Sequence, residues 1–119
     1  MPRIGTHILL DGRSAKYNFT ECIMSSVQEY FTCVIQEKGM TILGNIFHDF
    51  GNPKGAFTGL YLLGESHMSI HTFPEEEYIA IDLYICNMSH DASKEAREII
   101  DIAIEYFSIQ DPHIRELQR

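Results

Sequence analysis

The chain has no tryptophan, only three cysteines, and nine basic residues against seventeen acidic ones in 119 residues. Each shortage closes off a class of protein. Cys22, Cys33 and Cys86 are an odd number with no C-x-x-C pair, which excludes a disulfide framework and a zinc ribbon. A formal charge of −8 has the wrong sign for a nucleic-acid partner, whose affinity rests mainly on lysine and arginine. No apolar run approaches the ~20 residues that span a bilayer, and no charged N-terminal segment precedes a greasy one. These absences point to a cytoplasmic protein without a membrane partner. Low-complexity stretches, internal repeats and linkers are also missing.

What is present is an ordinary globular composition, 45% hydrophobic and 22% charged. Residues 1–119 read as a single domain, long enough to bury roughly two-thirds of its unfolded surface without a metal or disulfide. The acidic balance suits a cationic small molecule such as a sulfonium or an amine.

His7 to Leu10 read as a strand entering an Asp11-Gly12 turn. Asn18 or Thr20 caps a helix to about Lys38, stopped by Gly39, with Ile23, Val27, Tyr30, Phe31, Val34 and Ile35 as its buried stripe. Cys22 and Cys33 read as small buried hydrophobes on that helix. Thr41 to Phe50 is a strand, Gly51 to Gly55 a turn, and Phe57–Leu63, Met68–Phe73 and Tyr78–Cys86 are further strands. In the last of these, Ile79, Ile81, Leu83 and Ile85 alternate with Tyr78, Ala80, Asp82 and Tyr84. Asp91 or Ser93 caps a second helix to about Phe107, buried through Ala96, Ile99, Ile100, Ala103 and Phe107. A short strand near His113 to Leu117 ends the chain.

The order β-α-β-β, then β-β-α-β, predicts an α+β fold: a two-layer sandwich with an antiparallel sheet and both helices on one face. The other face needs a cover, and a second copy packed sheet to sheet supplies one, which predicts a homodimer.

The chemistry concentrates in Glu65-Ser66-His67-Met68-Ser69-Ile70-His71-Thr72-Phe73-Pro74-Glu75, followed by Cys86 at the end of an apolar strand. Taken singly, Ser66 is a turn serine, Cys86 a small buried hydrophobe, and Phe50, Phe57 and Phe73 core residues. Glu76 and Glu77 are solvated, and His48 and His113 have no assigned role. His67 and His71 without a third nearby Cys or His fall short of a zinc site, so no metal is expected. Ser66 and His71 point to opposite faces of a regular strand and meet only if the chain turns or bulges near Glu65-Ser66. His67, Ser69 and His71 share a face, so spacing alone leaves both histidines open as a base.

Together, the run and Cys86 resemble the processing site of the short prokaryotic S-adenosylmethionine decarboxylase proenzymes. The resemblance implies self-cleavage at Glu65-Ser66 into a β chain, residues 1–65, and an α chain, residues 66–119. Ser66 would become a covalent pyruvoyl cofactor that holds the substrate amine as a Schiff base. His71 would transfer the proton in processing, and Cys86 would donate one after CO₂ departs. Thr58 falls where a serine supports processing in relatives. Glu75 would accept ribose hydroxyls, while Phe73 and Phe50 would stack on adenine. The implied product is the aminopropyl donor for spermidine and other polyamines. The same electron sink serves ornithine or arginine, which is the first alternative. An unprocessed, non-catalytic partner protein is the second, and a small metal-binding module the third.

Overall fold

A computed structural model of the chain describes residues 4–21, 24–88 and 90–119. Six strands, β1 (Gly5–Ala15), β2 (Ile42–Asp49), β3 (Phe57–Leu63), β4 (Ser66–Phe73), β5 (Tyr78–Cys86) and β6 (Ile109–Gln118), are joined by two helices, α1 (Met24–Glu37) and α2 (Ser93–Tyr106). The strands form one antiparallel sheet in the order β2-β3-β4-β5-β1-β6.

Strand alternation divides this sheet into two unlike faces. Register sets Ile8, Leu83, Met68 and Tyr61 side by side across four strands. All four are at most 1% exposed, because both helices lie over this row. Val27, Phe31, Val34 and Ile35 of α1 and Ala96, Ile99, Ile100 and Ala103 of α2 join them in one core. Phe31 stacks on Phe107 at 5.8 Å, so the helices also meet each other. Three hydroxyls inside this layer are satisfied. The Tyr61 hydroxyl donates to the Gln28 carbonyl at 2.7 Å, and the Thr6 and Ser93 hydroxyls bond at 2.6 Å, tying α2 to β1.

Among the described residues no helix lies over the opposite face. Ile46, Leu60 and Leu62 stand on it at 73%, 48% and 59% exposure. The two-layer α+β architecture is therefore the one expected from the strand and helix order.

Several local readings need correction. There is no turn at Asp11-Gly12: β1 continues through it, pairing Gly12 with Ile79 on one side and Pro112 on the other. A Cβ at Gly12 would meet Ile109 Cδ1 at 2.6 Å, so this glycine serves close packing inside a strand. Thr20 lies in a 3₁₀ turn, Phe19–Glu21, and donates its hydroxyl to Asn18 Oδ1 at 2.7 Å; the residues between that turn and Met24, where α1 begins, lie outside the described ones. Tyr30 is 41% exposed and lies flat against Tyr106 at the rim of the helix pair. Cys33 is exposed, pointing away from the side of α1 that carries Val27, Phe31, Val34 and Ile35. Ile23 and Cys22 lie outside the described residues. Neither Asp91 nor Ser93 is the N-cap of α2: Ala92 holds that place without a side-chain cap bond, and Asp91, one residue earlier, accepts the Ser93 N–H at 2.9 Å. Gly39 ends α1 at φ 80. The last strand is ten residues long and forms the sheet edge opposite β2.

Leu83→Ala, in the middle of the covered row, is expected to lower unfolding free energy by about 2–5 kcal/mol in urea titration. The bidentate Arg97–Glu116 pair, at 2.8 and 2.7 Å, ties α2 to β6 and holds the Glu116 carboxyl below its ordinary pKa. A depressed carboxylate stabilises the fold above the unfolded-state pKa, and the effect is lost as pH falls through the folded-state value. Glu116→Gln should therefore lower the denaturation midpoint at neutral pH, with the difference from wild type closing in acid.

Candidate active site

β3 and β4 are joined by Gly64-Glu65 alone, and Leu63 pairs directly with Ser66. To close so short a hairpin, Glu65 takes φ 57, in the left-handed region that disfavours side chains. The peptide expected to break thus follows a non-glycine residue held in a strained conformation. Ser66 Oγ accepts the Cys86 N–H at 3.0 Å, and the Cys86 thiol donates to Glu65 Oε2 at 3.3 Å. Glu65, Ser66 and Cys86, separated by twenty residues of chain, meet because β4 and β5 are neighbouring strands with aligned ends. A cavity of about 210 Å³ opens beside them, lined among others by Met40, Thr41, Leu63 and His90.

The other expected site residues lie elsewhere. Thr58 pairs with His71 across β3 and β4, and Thr58 Oγ1 lies 3.1 Å from His71 Nδ1. At about 3.3 Å per residue, that pair is roughly 16 Å down the strand from Ser66. It also faces the other way: Ser66 shares the alternation of Met68 and Ile70, whereas His71 shares that of His67 and Ser69. The register of β4 with both neighbours is continuous, so no bulge turns His71 back toward Ser66. Phe73 packs on Tyr78 at 5.5 Å and Phe50 meets His48 at 4.7 Å, both rings being largely exposed. Glu75 sits in an exposed 3₁₀ turn just beyond β4. Within one chain the expected residues therefore form two groups at opposite ends of the sheet: Glu65, Ser66 and Cys86, then Thr58, His71, Phe73, Glu75 and Phe50.

Sequence reasoning missed a third group. His7 Nε2 and His67 Nε2 approach Asp82 Oδ2 at 2.8 and 2.9 Å, and Ser69 donates to Oδ1 of the same carboxylate. Tyr84 packs against both imidazoles, with Arg119 over its ring. Burial alone would raise the Asp82 pKa, but the bonds from Ser69, His67 and His7 outweigh it and hold the carboxyl below its usual value. The one signal in the sequence was a charged residue alternating with isoleucine and leucine in β5; its partners come from strands far away in the chain.

Comparison with known proteins completes the description. The family model described as S-adenosylmethionine decarboxylase matches residues 6–119. An S-adenosylmethionine decarboxylase proenzyme of Persephonella marina is 36% identical over 99 residues, covering 83% of this chain and 72% of that protein. One from Pyrococcus horikoshii is 29% identical over 119 residues, covering 100% of this chain and 81% of that one. The crystal structure of the adenosylmethionine decarboxylase from Aquifex aeolicus shares the fold at a TM-score of 0.84, with 23% identity and coverage of 100% and 92%. No helix among the described residues is long and apolar enough to cross a membrane. With nearly its whole length matched, and the strained Glu65-Ser66 hairpin closed against Cys86, the chain belongs to the S-adenosylmethionine decarboxylase family.

Proposed function

We propose that this chain is a proenzyme that cleaves itself between Glu65 and Ser66 and then decarboxylates S-adenosylmethionine for polyamine synthesis. The observation that carries this reading is the meeting of Ser66, Cys86 and a left-handed Glu65 at one hairpin, in a chain of this family.

Processing begins with attack of Ser66 Oγ on the Glu65 carbonyl carbon, which shifts the peptide to an ester. The strain stored at Glu65, on the order of 1–3 kcal/mol, is relieved when that peptide opens. A base then removes the Ser66 Cα proton, and elimination releases residues 1–65 with a free carboxylate. Water converts the remaining dehydroalanine to a ketone and ammonia, leaving residues 66–119 with a pyruvoyl end. The surroundings of Ser66 fit such a group: the serine borders a cavity, and the Cys86 N–H, which now bonds Ser66 Oγ, is left as a free donor beside it once that oxygen departs with the Glu65 carboxylate. Once formed, the ketone supplies an electron sink for the departing carboxylate. Cys86 is placed to return a proton at the same spot, where Glu65 has become the C-terminus of the 1–65 chain.

His71 serves as the processing base, oriented by Thr58, but it acts from a second copy of the chain. Neither its face nor its distance allows it to reach Ser66 of its own strand. A two-fold axis between the bare faces, running across the strands, lays the Glu65-Ser66 hairpin over the partner's Thr58–His71 end, so that the histidine approaches the Ser66 backbone and its Cα proton while the Ser66 side chain stays on the covered face. The same operation covers Ile46, Leu60 and Leu62, and brings Phe73, Phe50 and Glu75 toward the ketone as adenine and ribose contacts. Substrate is S-adenosylmethionine rather than ornithine or arginine, in keeping with the names of the relatives.

Denaturing mass spectrometry of purified protein should show two fragments, the downstream one lighter by one ammonia than a serine-started chain. Radiolabelled CO₂ should come from S-adenosylmethionine and not from ornithine or arginine. A single uncut chain would sink the reading. Cys86→Ser is expected to leave cleavage intact and slow decarboxylation about 10²–10⁴-fold.

The shared site has its own test. Ser66→Ala and His71→Ala chains should each stay uncut when expressed alone. Co-expressed, the His71→Ala chain should be cleaved by its partner's histidine; failure of that rescue would place the base within the chain.

A further inference from the structure

We propose that His7, His67 and Asp82 form a binding site for a divalent transition ion of the zinc and cobalt class on the bare face of the sheet. The two-histidine strand alone has no third ligand. Folding supplies it from two other strands: β1 brings His7 and β5 brings Asp82 to His67 of β4. Their ligand atoms all lie within 4.8 Å of one another.

The set has the chemistry of a metal centre with open positions. Two imidazole nitrogens and one carboxylate oxygen suit zinc, cobalt or nickel, while magnesium and calcium prefer all-oxygen ligands. The geometry needs little change. Ligand atoms around a tetrahedral ion at ~2.0–2.1 Å stand about 3.3 Å apart, so separations of 2.8 and 2.9 Å must open by only about half an ångström. Moving the ring protons to Nδ1 turns both Nε2 lone pairs inward, a tautomer change that costs no charge. The supporting layer is already in place. Ser69 holds the second oxygen of Asp82, as ligating carboxylates are commonly held, and Tyr84 packs on both rings. All three ligands sit on paired strands, with His7 and His67 both in register with Tyr84. Among the described residues no lysine or arginine pairs with Asp82, so its charge is shared only with the histidines. In a single chain the side chains are 17%, 46% and 28% exposed in the order His7, His67, Asp82, and in the two-fold assembly proposed above they lie between the two sheets.

The site does not depend on the decarboxylase reading, and Ser66→Ala protein, which keeps all three ligands, should bind the ion equally. The test is titration of chelator-treated full-length protein with cobalt(II), then competition with zinc(II). Expected are one ion per chain, visible ligand-field absorption, and an X-ray absorption spectrum with two imidazoles in the first shell. Asp82→Asn should weaken binding at least about tenfold. So should His67→Gln, whose half-exposed side chain can change without loss of the fold. A His48→Gln, His113→Gln double variant should bind as wild type does. Absence of a cobalt band in correctly folded protein would overturn the proposal. So would binding that His67→Gln and Asp82→Asn leave unchanged.

Discussion

Strand alternation is the constraint from which the rest of this structure follows. A β-sheet has two faces, and successive side chains must choose opposite ones. The helices among the described residues cover only one. Ile79, Ile81, Leu83 and Ile85 go under them and become the core, all at 3% exposure or less. Asp82 and Tyr84, between them, are forced onto the bare face, where they meet His7 and His67. The covered face provides stability, and the bare face carries groups that a core would not tolerate unpaired.

The same constraint explains why the candidate catalytic residues are divided. Five is an odd number, so Ser66 and His71 cannot share a face of one regular strand. Length separates them as well, since five residues of extended chain cover roughly 16 Å. A single sheet cannot bend enough to bring these groups together, but two copies related by a two-fold axis can. On this reading self-cleavage and substrate binding both depend on assembly.

The Glu65-Ser66 hairpin is where local and global demands conflict. Only one of the two connecting residues has positive φ, and the glycine, Gly64, stands in the place that does not need it. Glutamate occupies the other at φ 57. Well-paired strands on both sides hold it there, since Leu63 and Ser66 are ladder partners and Ser66 Oγ is tied to β5. Strain of this kind persists only where the surroundings over-determine it.

Much of the fold was legible from residue order. The Tyr78–Cys86 strand, the buried stripe of α2 and the antiparallel two-layer class follow from period-two and helical spacing, which act between near neighbours. The failures were also local in form but distant in cause. Gly12 resembles a turn until Ile109, nearly a hundred residues later, is laid over it. Tyr30 has helical spacing close to the buried stripe and stays at its rim against Tyr106 of α2, while Cys33 points away from the stripe. The motif Glu65 to Glu75 with Cys86 named the family and the chemical groups, because bond-making chemistry requires particular side chains wherever they lie. What the sequence determined by itself was this set of groups and the alternation that sorts them. Which of them meet was decided by tertiary structure alone: strand pairing brings together residues distant in the chain, and neither the Ser66–Cys86 contact nor the His7–His67–Asp82 cluster has any expression in local spacing.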